Sequence, residues 1–328
     1  MKHDVIALGE SLIDFSPVSQ DTEGYPTLAA HPGGAPANYL AALAEYGART
    51  AMIGKVGDDA FGRLLLSVME RAGIDTAGMI TDPAYFTTLA FVTLSENGQR
   101  DFSFARKPGA DTGLRFEEID LSLLADCRIL HMGTLSLTDE PARGATRKAV
   151  AFAKENGVLI SCDPNLRKPL WGDLGRAREE MLWSIGQADI VKLSDEEAKF
   201  LWNVGPEEAL QIALREYGAR LVFVTCGADG AWYANKKTFG HVPAEKDVHP
   251  VDTTGAGDIF GGSAAWKFLQ TGKDPEELSK EELGEITGFA CTAAGLSTER
   301  YGGISSVPEF SAVIKKRSGG QQPAADRN

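Results

Sequence analysis

The strongest chemical signal in the chain is Asp252-Thr253-Thr254-Gly255-Ala256-Gly257-Asp258-Ile259-Phe260-Gly261-Gly262. It follows the extended run His249-Pro250-Val251 and opens a helical pattern through Ala264, Ala265, Trp266, Phe268 and Leu269, with Gly272 as the expected C-terminal cap. Loop glycines at a helix start leave amide N–H groups and the positive end of the helix dipole pointing outward together. A carboxylate among such donors can take a proton from a hydroxyl while the amides hold anionic oxygens. The plain alternative is a tight turn at Gly255 and Gly257 with Asp258 as a helix cap. The longer pattern, acidic at both ends and followed by Gly261-Gly262, favours chemistry, and the small residues predict close packing against a bound nucleotide.

A second candidate is Val224-Thr225-Cys226-Gly227-Ala228-Asp229-Gly230. A strand ending in Thr-x-Gly-x-x-Gly suits close backbone approach to a ligand at the carboxyl edge of a parallel sheet. Neither the dinucleotide fingerprint nor the Walker loop is present, and the protein-kinase set is absent. Cys127, Cys162, Cys226 and Cys291 are far apart, form no Cys-x-x-Cys pair and read as free core thiols.

The elements that must position these groups follow from the apolar pattern. Short continuous apolar runs, Val5–Leu8, Ala51–Ile53, Ile129–His131, Val158–Cys162, Ile190–Leu193 and Leu221–Thr225, predict strands buried on both faces. Helical patterns lie between them at Asn38–Tyr46, Phe61–Ala72, Glu140–Glu155, Asp195–Trp202 and Glu207–Tyr217, with Gly47, Gly73, Gly157 and Gly218 as C-terminal caps. The fold class is therefore α/β: a mainly parallel sheet covered by helices on both faces. Thr87–Thr93 and Arg100–Arg106 flank an Asn-Gly turn at Ser95–Gln99, a hairpin signal. With the extended stretch Leu12–His31 it predicts a small β-sheet lid over the site. The expected division is a core of 1–10, 33–84 and 112–314, a lid of 11–32 and 85–111, and a disordered tail at 315–328.

A formal charge of −13 and a pI of about 4.9 repel nucleic acid and anionic membranes, so neither is an expected partner. Phosphate binding by backbone amides is untouched by that argument. The N-terminal apolar run is too short for a signal peptide and no stretch is long enough to span a bilayer. A cytoplasmic location is the expectation.

The segment around Asp258 resembles the C-terminal signature of the PfkB, or ribokinase-like, carbohydrate kinases. Gly33-Gly34-Ala35-Pro36-Ala37-Asn38 is similar to that family's N-terminal glycine pair, in the form typical of fructokinases. Gly54–Gly62, Asp163-Pro164-Asn165-Leu166-Arg167, Ser194-Asp195-Glu196-Glu197 and Val224–Gly230 follow in the family's order. The resemblance implies that Asp258 is the base, that Gly255, Ala256 and Gly257 supply anion-hole amides, and that Arg167 lies near the phosphates. On the sugar side it implies Asp14, Gly33, Gly34 and Asn38, with Phe104 and Arg106 from the lid. For the nucleotide it implies Lys192, Ser194, Thr225, Gly227, Gly230, Gly257 and Cys291. Glu197 is implied for magnesium through water, and Asp252 for a monovalent cation such as potassium. Ser194 and Cys291 depart from the family pattern, each standing where an Asn is common. So does the loop Thr298–Gly303, which differs from the usual basic form.

The expected activity is ATP-dependent phosphorylation of a sugar hydroxyl, fructose to fructose 6-phosphate first. 2-Keto-3-deoxygluconate, ribose or a nucleoside are alternative acceptors. A non-catalytic sugar sensor on the same fold is the alternative from another class. A homodimer through the lid sheets is also expected.

Overall fold

The computed structural model describes residues 2–94 and 100–319, without the side chains of 93, 94 and 100–102. The expected turn at Ser95–Gln99 and the last residues of the expected tail lie outside the described residues.

Thirteen strands and ten α-helices are described. The strands are β1 (Val5–Leu8), β2 (Leu12–Gln20), β3 (Pro26–Gly33), β4 (Thr50–Gly57), β5 (Ile74–Asp82), β6 (Leu89–Leu94) and β7 (Arg100–Ala105). They continue with β8 (Ile129–Met132), β9 (Leu159–Cys162), β10 (Ile190–Ser194), β11 (Leu221–Thr225), β12 (Ala231–Asn235) and β13 (Phe239–Val242). The helices are α1 (Ala35–Glu45), α2 (Ala60–Arg71), α3 (Leu121–Ala125), α4 (Ala142–Glu155) and α5 (Leu174–Gln187). They end with α6 (Asp195–Trp202), α7 (Pro206–Arg215), α8 (Ala256–Thr271), α9 (Lys280–Ser297) and α10 (Phe310–Gly319).

Nine strands form one sheet in the order β13-β12-β11-β10-β9-β8-β1-β4-β5. The pairs from β11 through to β5 are parallel, and β12 and β13 add an antiparallel edge. Both faces are covered, as continuous apolar strands require. Along β1, Val5 and Ala7 join the core under α1, α8 and α9, while Ile6 and Leu8 join the core under α4 to α7. The parallel strands present their carboxyl ends to one edge, where ligands of such sheets bind.

A second sheet, β3-β2-β6-β7, stands apart from the first. Its β2–β6 pair is parallel and the other two are antiparallel. Strand β2 leaves directly from the end of β1, so one face of this sheet lies above the carboxyl edge of the core.

Three core-sheet strands are additions to the sequence reading. β5 and β13 are edge strands and only partly buried, while β12 is buried between β11 and β13 but short and ended by Asn235. The stretch 315–319, expected in a disordered tail, instead continues α10, whose Val313 is buried in the core.

Candidate active site

Asp258 occupies the first turn of α8, with Gly255 at the N-cap in the left-handed region at φ 77°. An added Cβ at Gly255 would meet Gly303 Cα at 3.0 Å and Asn38 Nδ2 at 3.2 Å, so only glycine fits this turn. No side chain caps α8. Asp258 is therefore not the cap of the plain alternative, and the first amides of the helix keep their donors without a side-chain acceptor. Instead the carboxylate accepts from Asn38 Nδ2 at 2.9 Å and, at 3.5 Å, from Asn165 Nδ2. Burial pushes its pKa up. The Asn38 hydrogen bond and the charges of Lys192 and Arg167 pull it back, while Glu197 adds to the rise.

Gly261 and Gly262, read from sequence as packing near a nucleotide, pack against a helix. A Cβ at Gly262 would meet the Tyr39 carbonyl at 2.2 Å, and one at Gly261 would meet the Tyr39 ring at 3.2 Å. The glycine pair lets α8 lie close on α1, which carries Asn38 to Asp258.

The loop after β9 supplies the next groups. Asp163 Oδ2 pairs with Lys192 Nζ at 2.9 Å, both side chains nearly buried. Burial alone lowers the Lys192 pKa, but the carboxylates of Asp163, Glu197 and Asp258 outweigh it and hold the ammonium charged. Burial raises the Asp163 carboxyl against the pull of Lys192. A Cβ at Gly257 would stand 2.8 Å from Lys192 Nζ, so the ammonium lies directly beneath the glycine turn. Arg167 donates to the Leu166 carbonyl at 3.3 Å and makes no ion pair among the described residues. Its charge nonetheless reaches both Asp14 and Asp258.

Glu197 and Ser194 close a capping box on α6: Ser194 Oγ accepts from Glu197 N at 3.1 Å and Glu197 Oε2 accepts from Ser194 N at 2.8 Å. Glu197 Oε1 accepts from Leu166 N at 2.7 Å, tying α6 to the loop that carries Asn165 and Arg167. The Ser at 194 keeps the capping function of an Asn. Asp252 has a similar bracing role, accepting from Thr254 N and Gly302 N, both at 2.9 Å.

At the end of β11, Thr225 reaches back to the Leu193 carbonyl at 3.5 Å. Gly227 and Gly230 have positive φ, 53° and 94°. A Cβ at Gly230 would meet the Val242 carbonyl at 2.1 Å, whereas one at Gly227 would meet nothing within 4 Å. Gly230 serves the sheet and Gly227 faces open space. Cys291 is buried on α9, where burial pushes its thiol up to about 12. It is a packing thiol rather than a reactive one.

On the lid side, Asp14 sits on β2 with its carboxylate against Gly33, where a Cβ would come within 2.9 Å of Oδ2. Burial pushes Asp14 up to about 6, against the pull of Arg167 and with the charges of Asp258 and Asp252. A Cβ at Gly34 would meet the Glu10 carbonyl at 2.6 Å, and its φ is 111°. Phe104 is half-buried on β7, opposite Ala90.

Arg106, which the resemblance places on the sugar, has an interior guanidinium engaged by Asp111, Thr138 and the Leu135 carbonyl. Conversely, Asn165, Asp163 and Glu10 have no role in the sequence reading. Glu10 is buried, accepts from Ala35 N at 3.2 Å, and is pushed up to about 7 by burial. Position just past a strand of the parallel sheet is the signal that could have found all three. No group of three or more His, Cys, Asp or Glu stands in metal-binding geometry among the described residues, and no described helix is long and apolar enough to cross a membrane.

The pattern of the pfkB family of carbohydrate kinases matches residues 2–309. Among curated relatives, fructokinase-1 of Zea mays is 39% identical over 315 residues, 95% of this chain and 96% of that protein. Among solved structures, the fructokinase of Xylella fastidiosa with bound ATP has a TM-score of 0.90 at 30% identity, covering 98% of this chain and 100% of that one. The fructokinase of Vibrio cholerae O395 in its fructose-, ADP- and calcium-bound form has a TM-score of 0.85 at 32% identity, covering 96% of this chain and 99% of that one.

Proposed function

This chain belongs to the pfkB family of carbohydrate kinases, and we propose that its reaction is transfer of the γ-phosphoryl group of ATP to fructose, giving fructose 6-phosphate. The supporting observation is the placement of Asp258: buried, braced by Asn38 and Asn165, and set at a helix start with no side-chain cap. Asp14, Asn38 and the backbone of Gly33 and Gly34 bind the sugar, with Phe104 as a lid wall. Asp258 accepts the proton of the attacking hydroxyl. The amides around Gly255, Ala256 and Gly257 hold the transferring oxygens, with Lys192 beneath and Arg167 beside them. Most of the rate comes from such positioning and electrostatics.

ATP lies along the end of β11, against Thr225, Gly227 and Gly230, with Ser194 and Cys291 in the adjoining walls. Asp14, Asp163, Glu197 and Asp258 outnumber Lys192 and Arg167, so a divalent cation suits the approach of a polyphosphate. Both oxygens of Glu197 already accept backbone N–H groups. That donor set fits an ion such as magnesium, which keeps several waters, better than direct ligation. When bound, the ion neutralises charge developing on the phosphate oxygens. Asp252 and its loop are the proposed seat of a monovalent cation such as potassium.

The test is ADP release with magnesium-ATP across a panel of fructose, ribose, 2-keto-3-deoxygluconate and a nucleoside, with product mass as readout. Fructose as the best acceptor by kcat/KM is expected. A stronger response to another acceptor moves the assignment within the kinase class. Tight sugar binding without any phosphorylated product leaves a sensor. We also propose a cytoplasmic homodimer through the lid, supported by exposed Val18, Tyr25 and Leu28 on β2, β3 and their connection.

A further inference from the structure

Two of the chain crossings between core and lid, those before β6 and after β7, are held by a run of buried polar groups that the phosphoryl-transfer chemistry does not use. On the way in, Thr87 and Thr88 are adjacent and face opposite ways, as successive residues of an extended chain do. Thr87 N and Oγ1 donate to Asp59 at 2.7 and 2.9 Å. That same Asp59 caps α2 through Phe61 N and Gly62 N, so the contact fixes the crossing to the core. Thr88 Oγ1 donates to Asp111 Oδ1 at 2.5 Å.

On the way out, Arg106 Nε donates to the other oxygen of Asp111 at 2.8 Å. Its remaining nitrogens donate to Thr138 Oγ1 and the Leu135 carbonyl, both at 2.8 Å. Thr138 Oγ1 itself donates to Leu135 O at 2.9 Å. Gly109 leaves the room this needs, since a Cβ there would stand 1.9 Å from Thr88 Oγ1. Thr88, Arg106, Asp111 and Thr138 are all nearly buried. An ion pair so enclosed is costly unless its hydrogen bonds are satisfied, and a partner removed leaves an uncompensated charge.

We propose that Arg106, Asp111 and Thr138 are positioning residues that clamp the lid crossings flanking β6 and β7 to the loop after β8 and thereby set the height of the lid over the sugar. The path to the site is short. The Thr88 carbonyl accepts from Ile13 N at 3.1 Å, and the next residue on that strand is Asp14, paired with Ala90 of β6. Loss of the clamp shifts Asp14 and the β6–β7 hairpin while leaving Asp258 and the glycine turn in place. This rests on the sugar-kinase reading above. It also opposes direct contact between Arg106 and the sugar.

The experiment compares Arg106→Lys, Asp111→Asn and Thr138→Val in the full chain, the last being close to isosteric. Each is expected to raise the sugar KM by roughly tenfold, the effect of losing one charge-assisted hydrogen bond. The KM for ATP should stay unchanged and kcat should fall less than the sugar KM rises. Amide exchange without any ligand should quicken in 88–92 and 103–105. If Arg106→Lys raises the sugar KM while Asp111→Asn and Thr138→Val leave KM and exchange as they were, Arg106 touches the sugar and the clamp is refuted. Failure of Arg106→Lys to fold is resolved by the other two variants, whose silence is equally fatal. Because exchange needs no substrate, quickened exchange in a protein that phosphorylates no sugar would sink the kinase reading and leave the clamp standing.

Discussion

Asp258→Asn separates catalysis from stability at a single atom pair. In the native site Oδ2 accepts from Asn38 at 2.9 Å, and the more distant oxygen faces Asn165 at 3.5 Å. An amide at 258 keeps its carbonyl on Asn38 and loses only the longer contact, so the local geometry survives. The electrostatic change runs the other way. Burial raises the Asp258 pKa, so the ionised carboxylate is less stable in the fold than in the unfolded chain. A raised carboxyl contributes stability below the unfolded value, near pH 4, and loses it as pH rises through the folded value. Above that range the Asn variant lacks a burdened charge. Its melting temperature at pH 8 should match or exceed that of the unmodified protein.

Turnover should nevertheless fall by about 10²- to 10⁴-fold, the usual contribution of a positioned general base. Sugar binding by calorimetry should persist, since Asp14, Asn38 and the Gly33-Gly34 backbone are untouched. The assay is ADP release coupled to product mass, paired with thermal melting at pH 5 and pH 8. A variant that turns over within about tenfold of the unmodified protein would falsify the base assignment. Lost activity with a collapsed melt at both pH values would show that Asp258 was holding the fold instead.

Four shorter tests bear on the rest of the site and on the lid. Asp14 is pushed up to about 6, so the sugar KM should rise as pH falls through that value and its acceptor carboxylate is protonated; in Asp14→Asn, initial rates across pH 5–8 should lose this limb. Gly257→Ala puts a methyl 2.8 Å from Lys192 Nζ, and displacement of that ammonium by about 1 Å should cost roughly 100-fold in kcat, with a normal kcat ruling out Lys192 as a phosphate support. Ser194→Ala removes the cap on α6 and should lower stability by about 1 kcal/mol in a urea titration; no change would show that Glu197 braces the loop alone. Leu28→Asp on the exposed lid face should convert a dimeric mass to a monomeric one by light scattering, while an unmodified protein that is monomeric across a concentration series removes the dimer altogether.

Sequence alone reached the central strands well, because β1, β8, β10 and β11 are buried on both faces and therefore read as unbroken apolar runs. It missed β5, where Asp75, Thr76, Gly78 and Thr81 interrupt the pattern. That strand pairs on one side only, against β4, so its outer edge has no apolar requirement. The β12–β13 hairpin escaped for a related reason. Phe239 and His241 face solvent on an edge strand, and alternation over so few residues does not stand out from a loop.

Within the proposed site, the residues gathered around Asp258 were legible as short motifs, while the bracing partners that come from distant parts of the chain were not. Arg167 and Arg106 make the contrast. Both follow a strand and both stand near carboxylates. Arg167 makes no ion pair among the described residues, and its loop is braced from behind by Glu197 through Leu166 N. Arg106 loses that freedom because Asp111, only five residues on, folds back onto Nε, while Thr138 and Leu135 arrive from the far side of β8. No local pattern announces the second pair of partners. The same holds for Gly261 and Gly262, whose smallness answers the approach of Tyr39 across more than two hundred residues of chain. A short polar motif thus reveals that a group is constrained, and only the fold reveals whether a substrate or the protein itself imposes the constraint.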